Sequence, residues 1–356
     1  MKLLNPGPVS MTDRVRRALG SPDMCHREPE FSALMASVRD RIVALYDDAK
    51  PAGFFPVLLG GSGTCAVEAM LSLVSRDEKC LVLANGVYGD RIAAMLRAQN
   101  KAFEIVSAPW TSPMDLAAAE KALASGGFGH VLAVHHETTT GRLNNLATLG
   151  ALCTQYKVPM LVDAVSSFAG EPIELTKWNV EALAATANKC VHGAPGVSFV
   201  LVRESALARP SGATSVYLDL HKHAAEQKKG SAPFTLPTHV MAAFDEALAE
   251  LAESGGVRAR HATYRERSHF VRSTLHELGV GLLLDSEGAY GSTLTSFRLP
   301  PGKSYDKLHA ALKSDGFVIY AGQGQFDGAI FRIAVMGDLS RADLDRLAAS
   351  LRTALG

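Results

Sequence analysis

The chain carries no net charge: 36 Lys and Arg balance 36 Asp and Glu. The missing basic stripe excludes the usual footprint of a nucleic-acid binder, and with no charged tail any partner must be met at a local site. Long apolar runs are missing too. The longest are strand-sized, far short of the roughly 20 residues a membrane helix needs, so no membrane partner is expected. Prolines in the opening Asn5-Pro6-Gly7-Pro8 stand where a secretory leader would need its apolar stretch. Cysteine is sparse. Cys25, Cys65, Cys80, Cys153 and Cys190 are odd in number and scattered, with no Cys-x-x-Cys pair, which fits a reduced, cytoplasmic protein. Internal repeats and low-complexity tracts are absent.

What is present is ample core material: 356 residues, 47% hydrophobic and 20% charged. Short apolar runs at Val57–Leu59, Cys80–Ala84, Phe103–Val106, Val131–His135, Met160–Val165 and Val197–Val202 predict strands. Between them, segments such as 115–124 and 146–156 show helical spacing. Buried strands separated by crossover helices predict an α/β fold with a mostly parallel sheet. Two long helical segments, 238–254 and 257–278, flank Gly255-Gly256. Beyond them the pattern changes to strands at 293–299, 317–320 and 330–335, with helices at 305–314 and from Arg341. The expected division is a large domain over 15–254, and a smaller α+β domain over 255–356 that includes the N-terminal 1–14.

In parallel sheets, ligands gather where strands end. Three such places carry chemistry. Gly60-Gly61-Ser62-Gly63-Thr64 leads from a strand into the helical run that starts at Cys65. Its glycines allow close backbone approach, its hydroxyls and free N–H groups suit an anion, and its bland alternative is a tight capped turn. A nucleoside-triphosphate loop would need a lysine, which is lacking. Gly61, Gly63 and Ala66 match a dinucleotide fingerprint, but the next strand ends in Ala84-Asn85-Gly86 without the acidic residue that would hold a ribose. A smaller phosphate compound is therefore expected. Asp163 lies inside an apolar strand, where an unpaired carboxylate is costly and calls for a cation. Lys189, flanked by Ala187-Asn188 and Cys190, stands where a strand meets a turn. A desolvated lysine there can lose its proton and form a Schiff base, although a solvated loop lysine is the commoner case. Phosphate cup, buried aspartate and desolvated lysine, in that order, describe a pyridoxal phosphate site.

Over its whole length the chain resembles the class V aminotransferases of fold type I. The resemblance rests on Asn5-Pro6-Gly7-Pro8, Gly61-Ser62-Gly63-Thr64, Asn85-Gly86-Val87-Tyr88-Gly89, Glu137-Thr138-Thr139-Thr140-Gly141, Val162-Asp163-Ala164-Val165, Ala187-Asn188-Lys189-Cys190 and Phe331-Arg332-Ile333. It implies that Ser62, Gly63 and Thr64 bind the phosphate of pyridoxal 5'-phosphate. Tyr88 would stack on its ring, Thr138 contact its substituents, Asp163 pair with its ring nitrogen, and Val165 pack on its face. Asn188 would sit beside the Schiff-base Lys189. Thr235 would complete the cup of a neighbouring subunit, implying a homodimer with shared sites.

Arg332 would grip the substrate's acid group, with Gly7, His26 and Arg27 as further substrate-binding candidates. The implied reaction moves the amino group of 2-aminoethylphosphonate to pyruvate, with Lys189 and Asp163 catalytic. Alanine or serine with glyoxylate is the alternative pairing. A pyridoxal phosphate lyase would need a cysteine in a mobile loop, and a mere binder would need neither Asp163 nor Lys189. At Ala232 relatives commonly carry a large aromatic. His135-His136-Glu137 is not expected to hold a metal, because neighbours on a strand face opposite ways. His221 and His223, among Lys and Glu, read as a solvated surface.

Overall fold

The computed structural model describes residues 1–356. The chain enters as a two-residue strand, β1 (Lys2–Leu3), and two helices, α1 (Asp13–Ala18) and α2 (Pro29–Val43). The main sheet then builds from β2 (Phe54–Gly60), β3 (Lys79–Ala84), β4 (Ala102–Ser107), β5 (Phe128–Val134), β8 (Met160–Asp163), β9 (Val180–Thr186) and β10 (Val197–Arg203). Its spatial order is β2-β10-β9-β8-β5-β3-β4. All neighbours run parallel except β10, which is antiparallel to both β9 and β2. The crossovers carry α3 (Gly63–Met70), α4 (Val87–Ala98), α5 (Leu116–Ser125) and α6 (Leu146–Gln155). A hairpin of β6 (His136–Glu137) with β7 (Arg142–Leu143) projects beyond the end of β5.

After the sheet come α7 (Leu220–Lys228), α8 (Thr238–Glu253) and the 22-residue α9 (Gly256–Glu277). A second sheet has the order β11-β14-β13, from β11 (Leu294–Arg298), β13 (Tyr320–Ala321) and β14 (Ile330–Ala334), with α10 (Tyr305–Ser314) and α11 (Arg341–Leu355) beside it. β1 pairs with β12 (Phe317–Val318), so the first residues of the chain are tied to this later part. One apolar core runs through both sheets, from Val162, Leu183 and Phe199 to Phe297, Phe331 and Leu351. No helix is long and apolar enough to cross a membrane.

Three local readings of the sequence need revision. The run expected as one strand over 317–320 is two pieces, with Phe317–Val318 serving β1 and Tyr320–Ala321 serving β14. Strand β9 extends back to Val180, through Glu181 and three alanines that carry little strand propensity. Burial at every residue between β8 and β10 makes it a strand regardless. Nor is α7 a solvated surface, since His223 is 2% exposed and Gln227 fully buried.

Gln227 explains why α7 is there. β2 is an edge of the sheet, and the N–H and C=O of Leu58 point away from β10. The Gln227 amide meets both: Oε1 accepts from Leu58 N at 2.9 Å and Nε2 donates to Leu58 O at 2.7 Å. A side chain thus completes a ladder that would otherwise end in unpaired backbone. Gln227→Leu should cost about 2–4 kcal/mol, because two buried backbone groups lose their partners. Urea denaturation would show it as a lower midpoint, and an unchanged midpoint would refute this role for Gln227.

Candidate active site

Every parallel strand of the main sheet ends on the same side, and the chemistry-bearing residues follow those ends. Asp163 is the last residue of β8, 6% exposed, and its Oδ1 accepts from Val165 N at 2.9 Å. Burial pushes its carboxyl up to about 6, while the Val165 N–H and the charges of Lys189 and Arg91 pull the other way. Lys189 lies three residues past β9. Burial pushes its amine down to about 8. Its Nζ donates to Pro6 O on the N-terminal loop. Gly7 in that loop has φ +110°, and a Cβ there would stand 2.5 Å from Lys189 Cδ. Only glycine lets the loop pass so close to the lysine stem.

The glycine-rich turn lies beside Asp163. Ser62 precedes α3 in an extended conformation and its hydroxyl makes no capping bond. The first N–H groups of α3 have no intrahelical acceptor. A Cβ on Gly63 would stand 2.6 Å from the Val165 side chain, so the turn and the residue two past Asp163 are in close contact. Thr64, Tyr88, Asp163 and Val165 line one small cavity together with Arg91. Asn188 faces back to the sheet, where its Oδ1 accepts from Thr186 Oγ1 at 2.8 Å.

Thr138 is 1% exposed, and its Oγ1 has no hydrogen-bond partner. Its carbonyl accepts from Arg332 Nη1 at 2.8 Å. Arg332, in β14, is 2% exposed rather than reaching outward to solvent. Its Nε donates to Ala321 O at 2.8 Å and its Nη1 to Gln323 Oε1 at 3.3 Å, and it forms no ion pair. A buried guanidinium held only by neutral oxygens keeps its charge available for an anion.

Several predicted residues lie outside this cluster. Thr235 is exposed, and its hydroxyl lies 3.4 Å from His26 Nε2, so His26 is turned to Thr235. Arg27 is exposed, and Ala232 is buried.

Sequence reasoning missed what Glu137 does. Its carboxylate takes N–H groups from Tyr88 (3.2 Å) and Gly89 (3.4 Å) at the start of α4, and from Thr139 (3.2 Å) together with the Thr139 hydroxyl (2.6 Å). One buried carboxylate therefore ties the helix bearing Tyr88 to the loop bearing Thr138, at the positive end of that helix. Burial raises its pKa. The signal was present in Glu137-Thr138-Thr139 but named no partner. Of its neighbours, His135 packs edge-on to Trp178 at 5.4 Å, and His136 Nδ1 meets Thr293 Oγ1 at 3.3 Å. Missed likewise was His192, whose Nε2 lies 2.6 Å from Tyr264 OH and accepts from Gly337 N at 2.8 Å, just beyond Lys189.

Comparison with known proteins places these observations in a family. The family model for class-V aminotransferases matches residues 18–342. The 2-aminoethylphosphonate–pyruvate transaminase of Salmonella paratyphi C is 36% identical over 362 residues, covering 99% of this chain and 97% of that protein. A bifunctional phosphonoacetaldehyde hydrolase/aminoethylphosphonate transaminase of Clostridioides difficile is also 36% identical, but this chain spans only 55% of its length. Among solved structures, a subgroup IV aspartate aminotransferase from Thermus thermophilus superposes with a TM-score of 0.90 at 25% identity, covering 100% of this chain and 99% of that one.

The lowered lysine has a kinetic consequence. An amine reacts with an aldehyde only when neutral, so capture of an aromatic aldehyde by Lys189 should speed up about tenfold per pH unit below its pKa and level off above it. The plateau is expected from about pH 8. Lys189→Gln should abolish that component. A rate still climbing toward the ordinary lysine value of 10.5 would contradict the desolvated setting.

Proposed function

The chain belongs to the class-V aminotransferases, and from that premise we propose that it transfers the amino group of 2-aminoethylphosphonate to pyruvate, giving phosphonoacetaldehyde and alanine. The observation that carries the proposal is Arg332, a buried cation without an anion, beside a lysine whose amine is pushed down to about 8. Such a pair suits a substrate with an amine at one end and an acid group at the other. The names of the full-length relatives at 36% identity supply the phosphonate.

Pyridoxal 5'-phosphate is the proposed cofactor, and the residues present fit it. Thr138 Oγ1 is a buried hydroxyl with no partner, as a residue awaiting a polar ring substituent would be. Ser62, Gly63 and Thr64 would hold the phosphate, Tyr88 and Val165 the two ring faces, and Asp163 the ring nitrogen, with Asn188 alongside. When bound, the cofactor supplies an electron sink for the carbon that carries the amine.

The protein's own groups do the rest. Asp163, anchored by the Val165 N–H, would offer a carboxylate to the ring nitrogen and favour its protonated form. Lys189 would hold the cofactor through Nζ, and the same Nζ would take the proton from the substrate carbon that bears the amine. Arg332 grips the phosphonate, then the carboxylate of pyruvate, since a guanidinium fork suits both. The N-terminal loop passes at Gly7 directly against the Lys189 stem.

Two further elements belong to the proposal. One is a homodimer, supported by Thr235, an exposed residue available to a second copy. The other is a reduced cytoplasmic setting, supported by five free cysteines.

The test is the visible absorbance of the cofactor-loaded protein as 2-aminoethylphosphonate, alanine or serine is added singly, without a keto acid. Loss of the yellow band with the phosphonate in preference to the others is expected. Loss only with alanine or serine would overturn the substrate and move the reaction to glyoxylate chemistry. Arg332→Met should lower kcat/KM about 100-fold or more, because charge-assisted bonds to the acid group disappear. Its binding of the cofactor should be little changed.

A further inference from the structure

The glycine-rich turn offers a phosphate only neutral donors: the hydroxyls of Ser62 and Thr64, and N–H groups at the start of α3. A phosphate dianion held in a partly enclosed site is bound far better when a cation joins such donors. One side chain is placed to do so. Arg91 lies on α4, one turn beyond Tyr88, and its Nη1 donates to Thr64 Oγ1 at 3.5 Å. Its guanidinium lies over the Tyr88 ring, 4.6 Å from the centroid, which fixes its direction. It forms no ion pair, and it lines the same small cavity as Thr64, Tyr88, Asp163 and Val165. Its charge reaches both Asp163 and Lys189. An arginine placed only to solvate a helix face would not turn across a neighbouring helix toward a hydroxyl of the phosphate turn.

Resting on the cofactor reading above, we propose that Arg91 is the cationic ligand of the cofactor's phosphate, completing from α4 the cup that the Ser62–Thr64 turn begins. The fork approaches through Thr64 and is braced by Tyr88, so one helix supplies both the ring-stacking residue and the phosphate charge. Arg91 is then a binding residue and takes no part in proton transfer.

The test compares two ligands that differ only in the phosphate. Cofactor-free protein is titrated with pyridoxal 5'-phosphate and with pyridoxal, following the visible band, for the native chain, Arg91→Met and Arg91→Lys. For Arg91→Met the dissociation constant for pyridoxal 5'-phosphate should rise about 10- to 100-fold, as expected for losing a hydrogen bond to a charged group. That for pyridoxal should stay within about twofold, because pyridoxal has no phosphate to lose the bond. Arg91→Lys should recover much of the preference, since a point charge still reaches the phosphate without the fork.

If Arg91 merely braces Tyr88 or the fold, both ligands weaken together and the preference survives, which overturns the assignment. If the native chain binds neither ligand, the cofactor reading falls and Arg91's role falls with it. A native preference that persists in Arg91→Met removes the role of Arg91 alone.

Discussion

The cost of burying charge at one end of one sheet governs this structure. Asp163, Lys189 and Arg332 are each withdrawn from water, and none is neutralised by a partner in direct contact. Each is held instead by neutral groups: a backbone N–H for Asp163, the Pro6 carbonyl for Lys189, and the Ala321 and Thr138 carbonyls for Arg332. Hydrogen bonds of that kind lessen the desolvation penalty without removing the charge's pull on other molecules. The shifts follow, with the carboxyl raised to about 6 and the lysine lowered to about 8. Titratable groups shifted by burial in one place mark a candidate site, and a lysine lowered toward neutral pH is suited to moving a proton.

Such a site requires a stiff frame. β8 and β9 pair in parallel with Asp163 opposite Ala184, which fixes the aspartate before either loop begins. Glu137 then locks the entry to α4 against the Thr138 loop with four donors. The N–H groups at the helix start favour the carboxylate and offset part of the burial that raises its pKa. The Gln227 amide closes the far edge of the sheet by the same device, a side chain substituting for missing backbone.

How much of this could be read in advance depended on range. Asp163 and Lys189 were visible because a charged residue at the end of an apolar strand breaks the local pattern. The Ser62–Thr64 turn was visible because its glycines and hydroxyls lie side by side. The mostly parallel sheet followed from apolar runs spaced by helices. What escaped depends on tertiary partners. β9 is alanine-rich, and only its place between β8 and β10 makes it a full strand. His223 and Gln227 sit among charges, and only the sheet edge explains why they turn inward. Nothing around Arg332 in the sequence names its partners, and the carbonyls that hold it come from 194 and 11 residues away. Arg91 carried no local signal and that of Glu137 named no partner, because each touches a helix or loop that meets it only in the fold.

The second sheet is joined to the first at the site itself. Arg332 of β14 bonds the Thr138 loop, Gly337 just beyond β14 bonds His192, and Lys189 bonds the N-terminal loop that β1 ties to β12. Burial drives the His192 pKa well below its ordinary value, so this joint stays uncharged and does not compete with the lysine for anions. Each of these bonds joins a loop at the strand ends of the main sheet to a segment anchored on the later part of the chain. Arg332 itself spans the joint, since the side chain proposed to meet the substrate's acid group also holds the Thr138 carbonyl. That bond brings an arginine from far along the sequence against a loop at the strand ends of the first sheet.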